Sequence, residues 1–267
     1  MNSLFENVAI GGDSGFLYCE FKKDRYRGDK PKAKKTVTPR VVGDNAQQPA
    51  KKSFDNQVTV IYRMGDKYCP NIKVFRNGNI QMTGIRVVED GERVVHLIAS
   101  EIRRIHASGV TAIVEDIDAL HPHDFKVRMI NSNFSIPYLV RRKDLHRLLI
   151  SSEYNNNCIF QGTTYPGVKL YFYWNTLHGV HQDGICSCTL PCFGKGTGHG
   201  DGECKKVTVA IFESGNVLIT GANTQQQIND AYGYITAVLV KHVNTLRKVL
   251  PPAYRIESSG SAQQIGV

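Results

Sequence analysis

The chain has 267 residues, 41% of them hydrophobic, enough for one large domain or two small ones around a packed core. No apolar run approaches the roughly 18 residues of a membrane span, and the first twenty residues lack the basic start and apolar stretch of a secretory signal, so membrane and secreted classes are excluded and an intracellular protein is expected. The formal charge of +9 is concentrated between Lys22 and Lys52, where eleven Lys and Arg against three Asp carry +8 of it, leaving a nearly neutral body with a basic arm.

Residues 1–21 read as a short N-terminal segment. The arm follows over 22–53. It is poor in large apolar residues and holds three prolines, so it is expected to be disordered. Two readings stay open for it: a solvated linker, or an arm that holds nucleic acid through phosphates or serves as a nuclear address. From Asn56 to Met64, "NQVTVIYRM" predicts a strand. "NIKVF" and "NIQMT" predict a hairpin around Arg76-Asn77-Gly78, since Asn-Gly favours a tight turn. Val94, Val95, Ile98, Ile102 and Ile105 fall at helical spacing in the next segment, and Gly109 ends it.

A connector over 110–123 leads to a second passage through the same order. A strand at "NSNFSI" and a short helix at "RRKDLHRLLIS" come first. Then come a strand at "GVKLYFYW", a hairpin of "KVTVAIF" and "NVLIT" around Glu213-Ser214-Gly215, and a helix running to Leu250. Thr224 and Gln227 predict a capping box for that helix. Ile228, Ala231, Tyr232, Ile235, Val238, Leu239, His242 and Leu246 predict its apolar stripe. Residues 251–267 read as a flexible tail. "VFRNGNIQMTG" and "IFESGNVLITG" share five of ten positions from Phe75 and Phe212 onward, which marks an internal duplication of a sheet-plus-helix unit, with repeats at 54–109 and 124–250.

Strand parity separates two faces in each hairpin. Ile72, Val74, Ile80 and Met82, and Val209, Ile211, Val217 and Ile219, form aliphatic sets suited to lie under helices. Phe75 and Phe212 fall on the other, mixed set with Gln81, Thr83, Ala210, Leu218 and Thr220. That face is expected to be uncovered, as one side of an antiparallel sheet can be. Edge or loop residues could cover one such Phe. Two at equivalent positions point to a binding surface. Uncharged hydrogen-bonding side chains with an apolar wedge suit a DNA minor groove.

The two hairpins resemble the repeated "hydrophobic-Phe-x-Ser-Gly" hairpins of the TATA-box-binding protein family. The likeness extends backward from the second through "YPG" at Tyr165 to the strand at "NSNFSI". Divergence, the basic arm and the unusual loops make the chain most similar to the TATA-binding-protein-like factors of large DNA viruses. This resemblance implies an α+β fold: a pseudo-twofold saddle of duplicated antiparallel sheet with helices on its convex face. It also implies a non-enzymatic initiation factor that bends A·T-rich promoter DNA through the minor groove and recruits RNA polymerase or a TFIIB-like factor, in a host nucleus or a cytoplasmic viral factory. By the same resemblance Phe75, Phe212 and Tyr165 are wedges. Thr83, Thr220, Gln81 and Leu218 line the groove floor, Asn131 bonds base edges, Arg63 contacts phosphate, and Gln57 stands in the register of a fourth wedge. The opening strand and helix of the first repeat lack a clear counterpart.

The second repeat carries an insertion over 176–204. Its Cys186, Cys188, Cys192 and Cys204, with His178, His181 and His199 nearby, make a candidate structural zinc site, although the spacings match no standard finger. Inert or redox-sensitive thiols in a flexible loop are the other reading. No cofactor is otherwise required. "GKGTGHGDG" lacks the Gly-Lys-Ser/Thr ending of a phosphate loop. Two further functions stand beside the initiation factor: a saddle that grips nucleic acid within a repair or nuclease complex without promoter choice, and a zinc-dependent enzyme centred on the cysteine loop.

Overall fold

The structure, a computed structural model, describes residues 1–12, 15–22, 24–31, 55–65, 68–176, 182–189, 192 and 194–249. The chain divides into two compact units, Met1–Lys126 and Val127–Val267. Each is an antiparallel five-stranded sheet with helices against one face, the α+β arrangement the duplication implies.

In the first unit β1 (Phe16–Phe21), β2 (Arg25–Gly28), β3 (Gln57–Tyr62), β4 (Asn71–Phe75) and β5 (Ile80–Thr83) run in the order β2-β1-β3-β4-β5. Cys19, Phe21, Val58, Val60, Ile72 and Val74 lie on one face. They bury against Leu4 and Phe5 of α1 (Asn2–Asn7) and Val94, Ile98 and Ile105 of α2 (Val88–Ala107). Buried Glu101 on α2 fastens the N-terminal segment. It accepts the Ala9 N–H at 2.7 Å and pairs with Arg104 at 2.8 Å, and Arg104 donates to the Asn7 carbonyl.

The strand β2 lies inside the stretch whose composition predicts disorder, and there the expectation is corrected. Arg25 pairs with Glu6, bonds Asn2 at 2.7 Å and lies 4.7 Å from the Phe5 ring. Arg27 donates to the carbonyls of Phe5 and Glu6, both at 2.7 Å, satisfying the end of α1. Two of the arm's cations are therefore structural. The rest of the arm, residues 32–53, and Phe54 lie outside the described residues.

In the second unit β6 (Ile130–Ser135), β7 (Asn157–Ile159), β8 (Val168–Trp174), β9 (Lys205–Ile211) and β10 (Asn216–Ala222) run in the order β6-β10-β9-β8-β7. Leu170, Phe172, Val207, Val209, Ile211, Val217 and Ile219 pack under α3 (Arg142–Leu149) and α4 (Gln225–Lys241). Thr224 accepts the Gln227 N–H at 3.3 Å and Gln227 accepts the Thr224 N–H in return, closing the predicted capping box. The helix does not run unbroken to Leu250. It stops at His242, whose ring meets the Tyr154 hydroxyl at 2.9 Å, and α5 (Val243–Leu246) follows. The Leu246 carbonyl then accepts the Arg141 N–H at 2.8 Å. Tyr232, expected on the buried stripe, is 46% exposed and sets its ring edge-on to Phe134.

The hairpin β4–β5 corresponds to β9–β10, β3 to β8 and α2 to α4. The fifth strand differs. In the second unit β6 pairs beside β10. In the first, β5 is an edge among the described residues, and β2 extends the opposite side. Among the described residues no strand of the first unit pairs beside β5 as β6 does beside β10.

Candidate nucleic-acid interface

The uncovered face of the second unit follows from its register. Asn133, Leu218, Ala210, Lys169 and Ile159 face one another across five strands in one row. Thr220, Thr208, Tyr171 and Asn157 form the next. Leu218 and Ile159 are exposed apolar side chains, and Asn131 and Asn133 are exposed on β6. Ala210 is the exception to the mixed face as predicted, being buried. A methyl group between Leu218 and Lys169 leaves little surface to show. The face is thus a floor of hydroxyl, amide and aliphatic groups crossed by Lys169 on β8 and Lys206 on the central strand β9, with Lys206 Nζ 5.2 Å from the Tyr171 ring centroid.

At one end of this floor Tyr165 and Phe212 meet, ring centroids 5.8 Å apart. Lys169 Nζ sits 3.9 Å from the Tyr165 centroid, within cation–π range. Both rings close over Gly167. A Cβ there would stand 2.8 Å from Tyr165 and 3.2 Å from Phe212, so only a glycine lets the pair come together. The two turns that carry the rings are held by Arg142 of α3. It donates to the Pro166 carbonyl at 2.6 Å and to Glu213 at 2.7 Å. Lys248 bonds the same carboxylate, and this bond, with the two cations, holds the Glu213 carboxyl below its ordinary range. Gly215 completes the hairpin at φ +87°, its missing Cβ leaving room for the Ile136 carbonyl 2.6 Å away.

The first unit presents a sparser face. Gln81, Lys73, Thr59, Glu20 and Tyr26 form one row, and Thr83, Asn71, Ile61 and Tyr18 the next. Phe75 is half-buried opposite Gln57, an amide where the second unit offers an aromatic partner. Glu20 accepts from the Tyr18 hydroxyl at 2.9 Å, and burial together with that bond pushes the phenol up to about 12. Arg63 is exposed just past β3, its N–H donating to the Gly15 carbonyl.

A family model described as "Transcription factor TFIID (or TATA-binding protein, TBP)" matches residues 202–242, which hold β9, β10, Phe212 and α4. A TATA-box-binding protein-like protein of Acanthamoeba polyphaga mimivirus is 29% identical over 224 residues, 79% of this chain. Both comparisons make the chain similar to TATA-binding proteins, most directly over the β9–β10 hairpin and α4. The match spans 54% of the mimivirus protein, about half its length. Among solved structures, the TATA-binding protein of Methanococcus jannaschii aligns at 18% identity with a TM-score of 0.37, covering 68% of this chain and 75% of that one.

Of the residues the family resemblance singles out, Tyr165, Phe212, Leu218, Thr220 and Asn131 gather on the second unit, and Phe75, Gln57, Gln81 and Thr83 on the first. Asn133, Thr208, Lys169 and Tyr171 share the second face and were not singled out. The alternation of "NSNFS" and "VKLYFYW" carried the signal for them.

The insertion absent from the family pattern folds at the β8–β9 end. Sγ of Cys186, Cys188 and Cys204 lie within 4.8 Å of one another, and Cys192 Sγ is 3.8 Å from Cys186 Sγ. Burial pushes the Cys186 thiol up to about 12, whereas the Gly196 N–H draws Cys192 down. His199 is exposed, and His178 and His181 lie outside the described residues. Among the described residues no helix is long and apolar enough to cross a membrane.

Proposed function

We propose that the chain is a DNA-binding transcription initiation factor that engages the minor groove of A·T-rich promoter DNA with its uncovered sheet faces and bends it. The observation that carries this is the Tyr165–Phe212 pair, two rings set together on Gly167 at the edge of a floor of hydroxyl, amide and aliphatic groups. Thr208, Thr220, Asn131 and Asn133 offer hydrogen bonds of the kind a minor groove accepts without a charged donor. Leu218 supplies apolar contact, and the ring pair can enter a base step and unstack it. Lys169, beside the rings, is placed to neutralise a phosphate. This reading assigns no catalytic step. By kinship with the family it extends to recruiting RNA polymerase or a TFIIB-like factor.

The test is energy transfer between dyes at the two ends of a short A·T-rich duplex, with a G·C-rich duplex as control. Wild-type protein should shorten the A·T-rich duplex selectively, and Phe212→Ala should abolish the change. Equal bending of both duplexes would favour a gripping module without promoter choice. Undiminished bending by Phe212→Ala would remove the wedge.

A further inference from the structure

We propose that Cys186, Cys188, Cys192 and Cys204 form a structural Zn2+ site that holds the β8–β9 insertion in place. Zinc is bound by thiolates at about 2.3 Å in tetrahedral geometry, so ligand sulfurs stand about 3.8 Å apart. The Cys186–Cys192 separation is 3.8 Å, and Cys186, Cys188 and Cys204 lie mutually within 4.8 Å. A disulfide requires about 2.05 Å.

The surroundings are built for charged sulfurs. The Gly196 N–H donates to Cys192 Sγ at 3.2 Å and the buried Asn175 amide to Cys204 Sγ at 3.3 Å, the outer-shell donors that orient thiolate ligands. Gly200 and Gly202 come so close that a Cβ on either would stand 3.0 Å from Cys188 Sγ, and on Gly200 also 2.6 Å from Cys192 Cβ. Two glycines are thus needed to wrap the loop around the sulfurs. Asp201 between them accepts the Thr189 N–H at 2.9 Å, tying the two arms of the loop. Four thiolates fill zinc's coordination and leave no open position, so the site is structural and the zinc-enzyme reading loses its centre. The anchored loop grips the sheet through Tyr173, whose hydroxyl donates to the Gly194 carbonyl at 2.7 Å.

The full chain, purified without added chelator, should contain one zinc per molecule by mass spectrometry of its metals. Exchange for Co2+ should give the thiolate charge-transfer and red d–d bands of a tetrahedral sulfur site, a readout independent of any variant. Cys186→Ser/Cys204→Ser should lose the metal, and Cys69→Ser, an exposed thiol elsewhere, should keep it. Stripping zinc with a mercurial should raise amide exchange over residues 182–206 and leave β6 and β10 protected. A metal-free chain with free thiols, a chain with disulfides in this loop, a coloured iron protein, or metal retained by the double variant would each overturn the assignment.

Discussion

At the scale of single residues, the candidate site depends on one atom that is absent. Gly167 lies where any Cβ would force Tyr165 away from Phe212. Gly167→Ala is therefore expected to weaken DNA bending by about tenfold, about 1.4 kcal/mol, with the fold intact by circular dichroism. Phe212→Ala should abolish bending, whereas Phe75→Ala, which removes a ring set opposite the Gln57 amide, should reduce it less; equal effects would contradict the inequality of the two faces. Glu213 gives a pH signature. Its carboxyl is more acidic folded than its ordinary 4.5, so its bonds to Lys248 and Arg142 add stability at neutral pH and lose it as pH falls through and below that value. Lys248→Ala, which removes the bond that most lowers the Glu213 carboxyl, should flatten the acid limb of a melting-temperature profile, and Arg142→Ala, which frees the two turns but leaves Lys248 in place, should weaken bending with a smaller change in that limb. An acid limb flattened by Arg142→Ala but not by Lys248→Ala would contradict this assignment.

At the scale of elements, the helix α1 and strands β1 and β2 are joined to α2 through Glu101. Replacing Glu101 with Ala strands the Ala9 N–H in a half-buried position, at a cost of about 1–3 kcal/mol. Urea unfolding of the first unit should show that loss, with proteolysis entering first at residues 1–12. The β4–β5 and β9–β10 hairpins were legible because alternation and the Asn-Gly and Ser-Gly turns are local signals, and α4 because its capping box spans four residues. The strand β2 was not, because "RYRG" has the composition of a solvated arm. What orders it is distant in sequence: the Phe5 and Glu6 carbonyls and the Phe5 ring. The Arg142 clamp was hidden for the same reason, joining residues 24 and 71 positions apart. Tyr165 was reached through family resemblance, since no periodicity distinguishes a turn tyrosine that stacks from one that does not.

At the scale of the molecule, the separation of basic arm from neutral body survives in reduced form. Arg25 and Arg27 belong to the fold, and residues 32–52 hold six Lys and Arg against one Asp. Deleting 32–52 should lower DNA affinity and reduce the slope of log affinity against log salt by roughly 0.9 for each phosphate released, while A·T preference stays. Loss of preference would mean that the arm reads bases. Deletion from Lys22 should instead destabilise the first unit, a difference that thermal melting would report. The fifth strand of each sheet has a consequence of its own. β6 widens the second unit on the side of its hairpin, and β2 widens the first on the side away from it. A gene duplication begins with two interchangeable halves, and a ligand gripped by such halves can be seated either way round. Here one unit carries two rings tilted against each other, and the other, among the described residues, sets a ring opposite an amide. Variants at equivalent positions of the two units are therefore not interchangeable, and the contribution of each sheet has to be read from its own residues.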